Sequence, residues 1–294
     1  MELVAEVKSV SKSDGILNYI VSNELGEIYN LKIHPKDELD IQIGKIYMFN
    51  CSVKQAERTS YWILGAKDIL DLDLKQKDEY LRKFYKSSVC SMAEEEKEIE
   101  KYINKLDNKV VREITIKLIE KYRDRFFTYP AAAKMHHAYI GGLAYHSIGM
   151  LHLADGFIEN YPYLDKNYVY AGIMLHDIGK AIELSGPANA EYTLEGQLIG
   201  HLVIGAIEIE KMALELGYQN TKEVLLLKHM LISHHGLPQF GSAKKPLTPE
   251  ALVLWYIDTI DSKFRVLGEE LEKTESGSYT ESIGVIDKAK IYKP

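Results

Sequence analysis

The segment from Ala171 to Lys180 reads AGIMLHDIGK, an apolar run that finishes on His176 and Asp177. Burying such a pair is costly unless a hydrogen bond, a helix terminus or a metal ion compensates for it. Nine of the ten histidines fall after residue 130, so the question extends beyond one dipeptide. His146 shares a helical face with Gly149 and Met150. His201 lies in line with Leu198, Gly205, Ile209, Met212 and Leu216, on the apolar stripe of an amphipathic helix. His234 and His235 close the run VLLLKHMLISHH, where periodicity leaves open which of the two faces inward. Asp258 and Asp261 stand three apart in LVLWYIDTIDSK and therefore share a helix face. Each group alone reads as a satisfied core histidine or a capping acid. Together they occupy five successive helical segments. Imidazole and carboxylate without thiolate suit a first-row divalent ion such as Mn, Fe, Co or Zn. An adjacent His-Asp pair also allows a carboxylate to bridge two ions about 3.5–4 Å apart.

The elements that must position these groups begin after residue 70. Residues 1–70 alternate in the β manner through LVAEVKSV, ILNYIVSN, EIYNLKIH, KIYMFNCSV and SYWILGAKDIL, with turn signals between them. Five short strands predict a small β-barrel of the OB type. Residues 71–130 change to a helical period, with apolar residues three and four apart among charges, and read as linker and first helices. Residues 131–294 are nearly all helical, broken at Tyr161-Pro162, at Ser185-Gly186-Pro187 and in HGLPQFGSAKKPLTPE, and end in a polar tail. The fold expected is α+β and multidomain, a β-barrel followed by an all-α domain.

A length of 294 residues admits one large or two modest domains, and 46% hydrophobic with 27% charged residues is ordinary globular composition. No apolar run reaches membrane-spanning length, and MELVAEVKSV lacks the basic-then-apolar order of a signal peptide. Two cysteines, Cys51 and Cys90, make no disulfide framework, so a reducing cytoplasm is the expected location. The net charge of −7 argues against a broad polyanion-binding surface, so a nucleic-acid substrate would have to be met by a few placed cations or a metal.

The series H…HD…H…HH…D resembles the HD-domain metal-dependent phosphohydrolases. The wording around it, YPAAAKMHHAYIGGLAYHS, LHDIGKAIELSGP, YTLEGQLIGH, SHHGLPQFGS and YIDTIDSK, is similar to the YhaM-type 3′–5′ exoribonucleases, in which an OB-fold domain precedes an HD domain. The resemblance is specific from about Tyr129 to the end and looser over residues 1–70. It implies metal ligation by His146, His176, Asp177 and Asp258, with His201 and one or both of His234 and His235 as added ligands for a second ion; His235 is slightly favoured. Asp261 is implied as a supporting acid of the D-x-x-D pair. Lys180 resembles a lysine pointed at a substrate phosphate, with a helix-terminal charge as the alternative. His136 and His137 are candidates for substrate contact, as are Arg123 and Arg125 in KYRDRFFTYP.

The reaction implied is hydrolysis of single-stranded RNA, or DNA, from the 3′ end to nucleoside 5′-monophosphates. Water activated by one or two divalent ions, manganese first among them, would attack phosphorus, with Asp177 and Lys180 as catalytic groups. No residue is marked as the general acid. Tyr19, Tyr29, Tyr47, Phe49, Tyr61 and Trp62 offer stacking surfaces in the barrel. A homo-oligomer is expected. Two alternatives stand beside this reading: an HD-domain phosphohydrolase of small nucleotides, and a non-catalytic single-strand-binding protein with a structural metal.

Overall fold

A computed structural model describes residues 1–294 except 38, 56–58, 133–138 and 189. The chain divides into two compact units, Met1–Lys86 and Ser87–Pro294. His136 and His137 lie outside the described residues.

The first unit is a closed five-stranded barrel. Strands β1 (Glu2–Ser13), β2 (Ile16–Ser22), β3 (Ile28–Ile33), β4 (Ile46–Lys54) and β5 (Ser60–Asp68) close in the order β1-β2-β3-β5-β4. Every pairing is antiparallel except β3 with β5. The long β1 pairs with both β2 and β4, and a register shift between Val7 and Ser9 gives it the bend that closure needs. Alternation sends Ala5, Val7, Tyr19, Val21, Leu31, Ile33, Tyr47, Phe49, Cys51 and Ile63 inward as one core. This is the OB-like barrel that the strand count predicts.

Tyr19, Tyr47 and Phe49 are therefore core residues with no face for a base. Tyr29 and Tyr61 pack edge-on to each other against that core. Trp62 differs, stacking on exposed His34 at 4.7 Å with the Lys54 ammonium 5.0 Å from its ring. Helix α1 (Leu74–Phe84), capped by the Asp73 side chain, also belongs to this unit, so the segment 71–130 is divided between the two units.

The second unit is helical. It comprises α2 (Met92–Ile103), α3 (Lys109–Lys121), α4 (Arg123–Thr128), α5 (Gly142–Asn160), α6 (Lys166–Leu175), the short α7 (Lys180–Glu183) and α8 (Leu194–Ile199), then α9 (His201–Leu216), α10 (Lys222–Ser233) and α11 (Pro249–Lys273). A two-stranded pairing of β6 (Ser278–Tyr279) with β7 (Tyr292–Lys293) orders the tail. The acidic start of α2 is a capping box: Ser91 accepts from the Glu94 amide and Glu94 reaches back to the Ser91 amide. Helix α6 is the hub. Its residues Val169 to Leu175 are all buried, and it packs against α3, α5, α10 and α11, as an all-apolar helix must. Among the described residues no helix is long and apolar enough to cross a membrane.

Candidate metal centre

Two helices of this unit end the same way. The α6 run stops at Leu175 and the His176 ring turns back so that its Nδ1–H donates to the Ile173 carbonyl at 2.7 Å. The α10 run stops at Ser233 and the His234 Nδ1–H donates to the Leu231 carbonyl at 2.7 Å. Each ring satisfies a carbonyl that its helix leaves without an intrahelical partner. A carbonyl can only accept, so Nδ1 carries the proton and Nε2 keeps a bare lone pair directed away from the helix. Apolar runs ending in histidine thus have a local structural reason and a chemical consequence.

The other histidines follow the same rule with different acceptors. His201 opens α9; the Glu183 carboxylate accepts from its backbone N–H at 3.0 Å and from Nδ1 at 3.0 Å. His146, on α5, donates from Nδ1 to Asp261 of α11 at 2.8 Å. His235 donates from Nδ1 to the Phe240 carbonyl at 2.8 Å. In all five rings an oxygen holds Nδ1, the arrangement that orients metal-ligating imidazoles.

The Nε2 atoms converge on two carboxylates. His176 Nε2 is 3.2 Å from Asp177 Oδ2, whereas His201 Nε2 and His234 Nε2 are 3.3 and 3.7 Å from Asp177 Oδ1. His146 Nε2 is 3.2 Å from Asp258 Oδ1. Potential ligand atoms group within 4.8 Å of one another as His146–His176–Asp258, His176–Asp177–His234 and His201–His234–His235. Asp177 therefore presents one oxygen to each side of the cluster.

The donor set fits a divalent ion. Among the described residues, Nε2 of His176, His201 and His234 and Oδ1 of Asp177 are buried without a hydrogen-bond partner. Lone pairs facing a carboxylate oxygen at this distance repel unless a cation lies between them, and orphaned buried polar atoms are otherwise costly. Imidazole nitrogen with carboxylate oxygen is the ligand chemistry of first-row divalent metals.

Electrostatics tighten the cluster. Burial alone would raise the Asp177 carboxyl, but the neighbouring His176 ring and the Lys180 ammonium hold it well below the usual carboxylate range. Asp258 is likewise depressed against burial, through its hydrogen bond from His146. Burial would lower His146, but hydrogen bonds to Asp258 and Asp261 raise it to about 9. Burial pushes His234 well down, in keeping with a neutral ring. His176, Asp177, His201 and His234 are buried, whereas the side chain of Asp258 is 17% exposed and His235 is partly open. Access from solvent is on that side.

Close backbone approach makes the convergence feasible. A Cβ on Gly179 would lie 2.2 Å from the His201 carbonyl oxygen, so only glycine lets α9 start beside Asp177. Gly236, at φ +76°, ends the His234-His235 turn with its Cα against the Trp255 indole, where a Cβ would collide at 1.9 Å.

The structure brings His146, His176, Asp177, His201, His234, His235 and Asp258 together; His234 is the more enclosed of its pair, and both belong to the cluster. Several of the residues expected to meet substrate are engaged otherwise. Lys180 Nζ donates to Asp177 Oδ2 at 2.7 Å and to the Ala131 carbonyl at 2.6 Å, because a buried anion and an unpaired carbonyl lie within its reach. Asp261, expected as a supporting acid, holds His146 and pairs with Arg265 at 3.4 Å. Arg125 donates to the Ala181 carbonyl at 2.8 Å, bracing α7, and Arg123 pairs with Glu96 at 2.5 Å. Glu183 and Arg265 escaped the reading of the sequence. Glu183 carried a usable signal, an acid set in the apolar stretch AIEL three residues after Lys180.

The HD domain family matches residues 143–263, which span the cluster from His146 to Asp261 apart from its tail of supporting contacts. The chain is 46% identical over 196 residues to the 3′-5′ exoribonuclease YhaM of Geobacillus sp. (strain WCH70), covering 67% of this chain and 60% of that protein. It is 45% identical over 196 residues to the proteins of the same name from Bacillus licheniformis and Bacillus pumilus, covering 67% of this chain and 62% of each. The chain thus spans about three fifths of the length of these curated relatives. No solved structure matches it.

Proposed function

We propose that this chain, whose residues 143–263 match the HD domain family, is a metal-dependent 3′–5′ exoribonuclease acting on single-stranded RNA in the cytoplasm and releasing nucleoside 5′-monophosphates. The observation that carries the reading is Asp177, whose two carboxylate oxygens face different histidines while the Nε2 atoms around it lack partners among the described residues. The relatives named exoribonucleases support the choice of reaction.

His146, His176 and Asp258 would hold one divalent ion, and His201, His234 and His235 a second, with Asp177 between the two sets. Manganese is the favoured ion, and Co, Fe and Zn suit the same donors. Bound divalent ions supply Lewis acidity toward a phosphate oxygen and lower the pKa of water toward neutrality.

The protein's own groups prepare that site. Glu183, Asp261 and the Ile173, Leu231 and Phe240 carbonyls fix five rings in the Nδ1–H form. Lys180 holds Asp177 ionised and pinned through Oδ2, which leaves Oδ1 toward His201 and His234. The open edge at Asp258 and His235 admits a chain end, while the enclosed floor excludes bulk water from the rest of the cluster. In the first unit, Trp62 with His34 and Lys54 offers an outward aromatic and cationic patch suited to a single strand.

The test is a 5′-labelled single-stranded RNA incubated with Mn²⁺ and the protein, beside His176→Ala and Asp177→Ala variants. A ladder shortening from the 3′ end, absent with either variant, is the expected result. Turnover of free nucleotides alone, or RNA binding without cleavage, would replace the proposal with one of the two alternatives.

A further inference from the structure

The segment between α10 and α11, Gly236 to Thr248, is tied to the centre at one of its histidines. The Phe240 carbonyl accepts the His235 Nδ1–H at 2.8 Å, within a single turn of 3₁₀-helix, Pro238–Phe240, that Gly241 closes at φ +98°. Two further bonds anchor the loop to α10: the Ala243 amide donates to the Ile232 carbonyl at 3.1 Å, and the Leu247 amide to His229 Nε2 at 2.9 Å. The backbone is thus held at three points on the helix that delivers His234 and His235. What the loop shows to solvent is specific. Phe240 is 61% exposed and has no ring partner among the described residues. Lys244 and Lys245 are exposed, and among the described residues neither pairs with an acid.

Phe240 carries its exposed ring on a loop held through its own backbone to His235 of the cluster. Two exposed ammonium groups on the same loop are notable in a chain of net charge −7. Ring and cations together match a single-stranded polynucleotide, which has a π-face on every base and a charge on every linkage. Such a platform grips any base without reading its edge, as stepwise removal of successive nucleotides requires.

We propose that the loop 236–248 is the seat of the substrate's 3′ end, with Phe240 stacking on a terminal base and Lys244 and Lys245 meeting the phosphates next to it. The inference rests on the exoribonuclease reading. Since the Phe240 contact with His235 runs through the backbone carbonyl, changing the side chain leaves the cluster's hydrogen bonds in place.

Phe240→Ala, Phe240→Trp and Lys244→Gln/Lys245→Gln test it against two substrates in Mn²⁺: 5′-labelled single-stranded RNA, and the same RNA ending in an abasic nucleotide, a base-free terminal diester with no ring to stack. Phe240→Ala is expected to raise KM for RNA on the order of 10- to 100-fold, the range of a lost base stack, with hydrolysis of the base-free diester unchanged. Phe240→Trp is expected to stay within about threefold of the parent, because indole stacks as well as phenyl. The double lysine variant is expected to reduce the slope of log(kcat/KM) against log[KCl] by about 1.4, two phosphate contacts at roughly 0.7 each for a single strand. In EDTA, where no turnover occurs, an RNA ending in 2-aminopurine should be quenched by the parent chain and by Phe240→Trp, and not by Phe240→Ala. Equal slowing of both substrates by Phe240→Ala would overturn the inference, since the loop would then only support His235. So would an unchanged RNA KM while the parent degrades RNA normally. A parent chain that shortens neither RNA in Mn²⁺ would overturn the exoribonuclease reading, and this inference with it.

Discussion

Glu183→Gln isolates the support of one ring from the ring itself. The Glu183 carboxylate is 6% exposed and holds both the His201 backbone N–H and its Nδ1–H at 3.0 Å. Burial raises its pKa, and the hydrogen bonds from His201 more than reverse that, so the group is an anion. Glutamine is isosteric and still accepts through Oε1. Each charge-assisted bond, about 1.5–3 kcal/mol, becomes a neutral one of about 1 kcal/mol. The amide can also turn its NH₂ toward Nδ1, which drives the proton to Nε2 and removes the lone pair that would bind metal. The expected loss of divalent-ion affinity on the His201 side is about 10- to 100-fold, or about 1.4–2.7 kcal/mol. Calorimetric titration with Mn²⁺ should show one class of sites weakened and the other kept. Circular dichroism should show an unchanged fold. Affinity within twofold of the parent at every site would refute the argument that Glu183 fixes the His201 tautomer.

Three further outcomes follow from geometry. Glu208 is 2% exposed and held by Lys121 at 2.7 Å, Lys211 at 2.7 Å and Tyr122 at 2.5 Å. Burial raises its carboxyl, but those partners bring it from 4.5 down to about 2. A depressed folded-state pKa contributes stability above the unfolded value and loses it as pH falls, so the contribution should vanish between pH 4.5 and about pH 2. It is worth about 3 kcal/mol before screening of the two partly exposed lysines and about 1–2 kcal/mol after it. Urea unfolding of Glu208→Gln should therefore differ from the parent at pH 7 and match it near pH 2; an equal difference at both would contradict the charge argument. Gly179→Ala forces a Cβ to 2.2 Å from the His201 carbonyl and should cost about 1–3 kcal/mol and weaken Mn²⁺ binding. Gly156→Ala, exposed within α5 and meeting nothing within 4 Å, should instead stabilise by about 0.5–1 kcal/mol; a thermal melt that ranks the two the other way would contradict the packing.

The cluster was legible because imidazoles on apolar stripes conflict with the cheap way to fill a core, and several such conflicts on neighbouring helices point to one shared cause. The barrel was legible from period-2 alternation. Less visible were pairings made across space. Lys180, Arg123 and Arg125 look like free cations in one dimension, yet each is taken by an acceptor, Asp177, Glu96 or the Ala181 carbonyl, brought near only by folding. The inward turn of Tyr19, Tyr47 and Phe49 depends on strand register, and the loss of α1 to the barrel unit depends on contacts across the chain. Glu183 shows the middle case, a residue that the same test applied to His176 would have found.

The central claim is that Asp177 stands between two histidine sets, each able to hold an ion. Metal content measures this most directly. The protein is dialysed with Mn²⁺, excess ion is removed, and manganese per chain is read by mass spectrometry for the parent, His201→Ala and Asp177→Ala. Two ions for the parent, about one for His201→Ala and a large loss for Asp177→Ala is the predicted result. A parent chain that retains none, or an Asp177→Ala chain that retains as much as the parent, would contradict it.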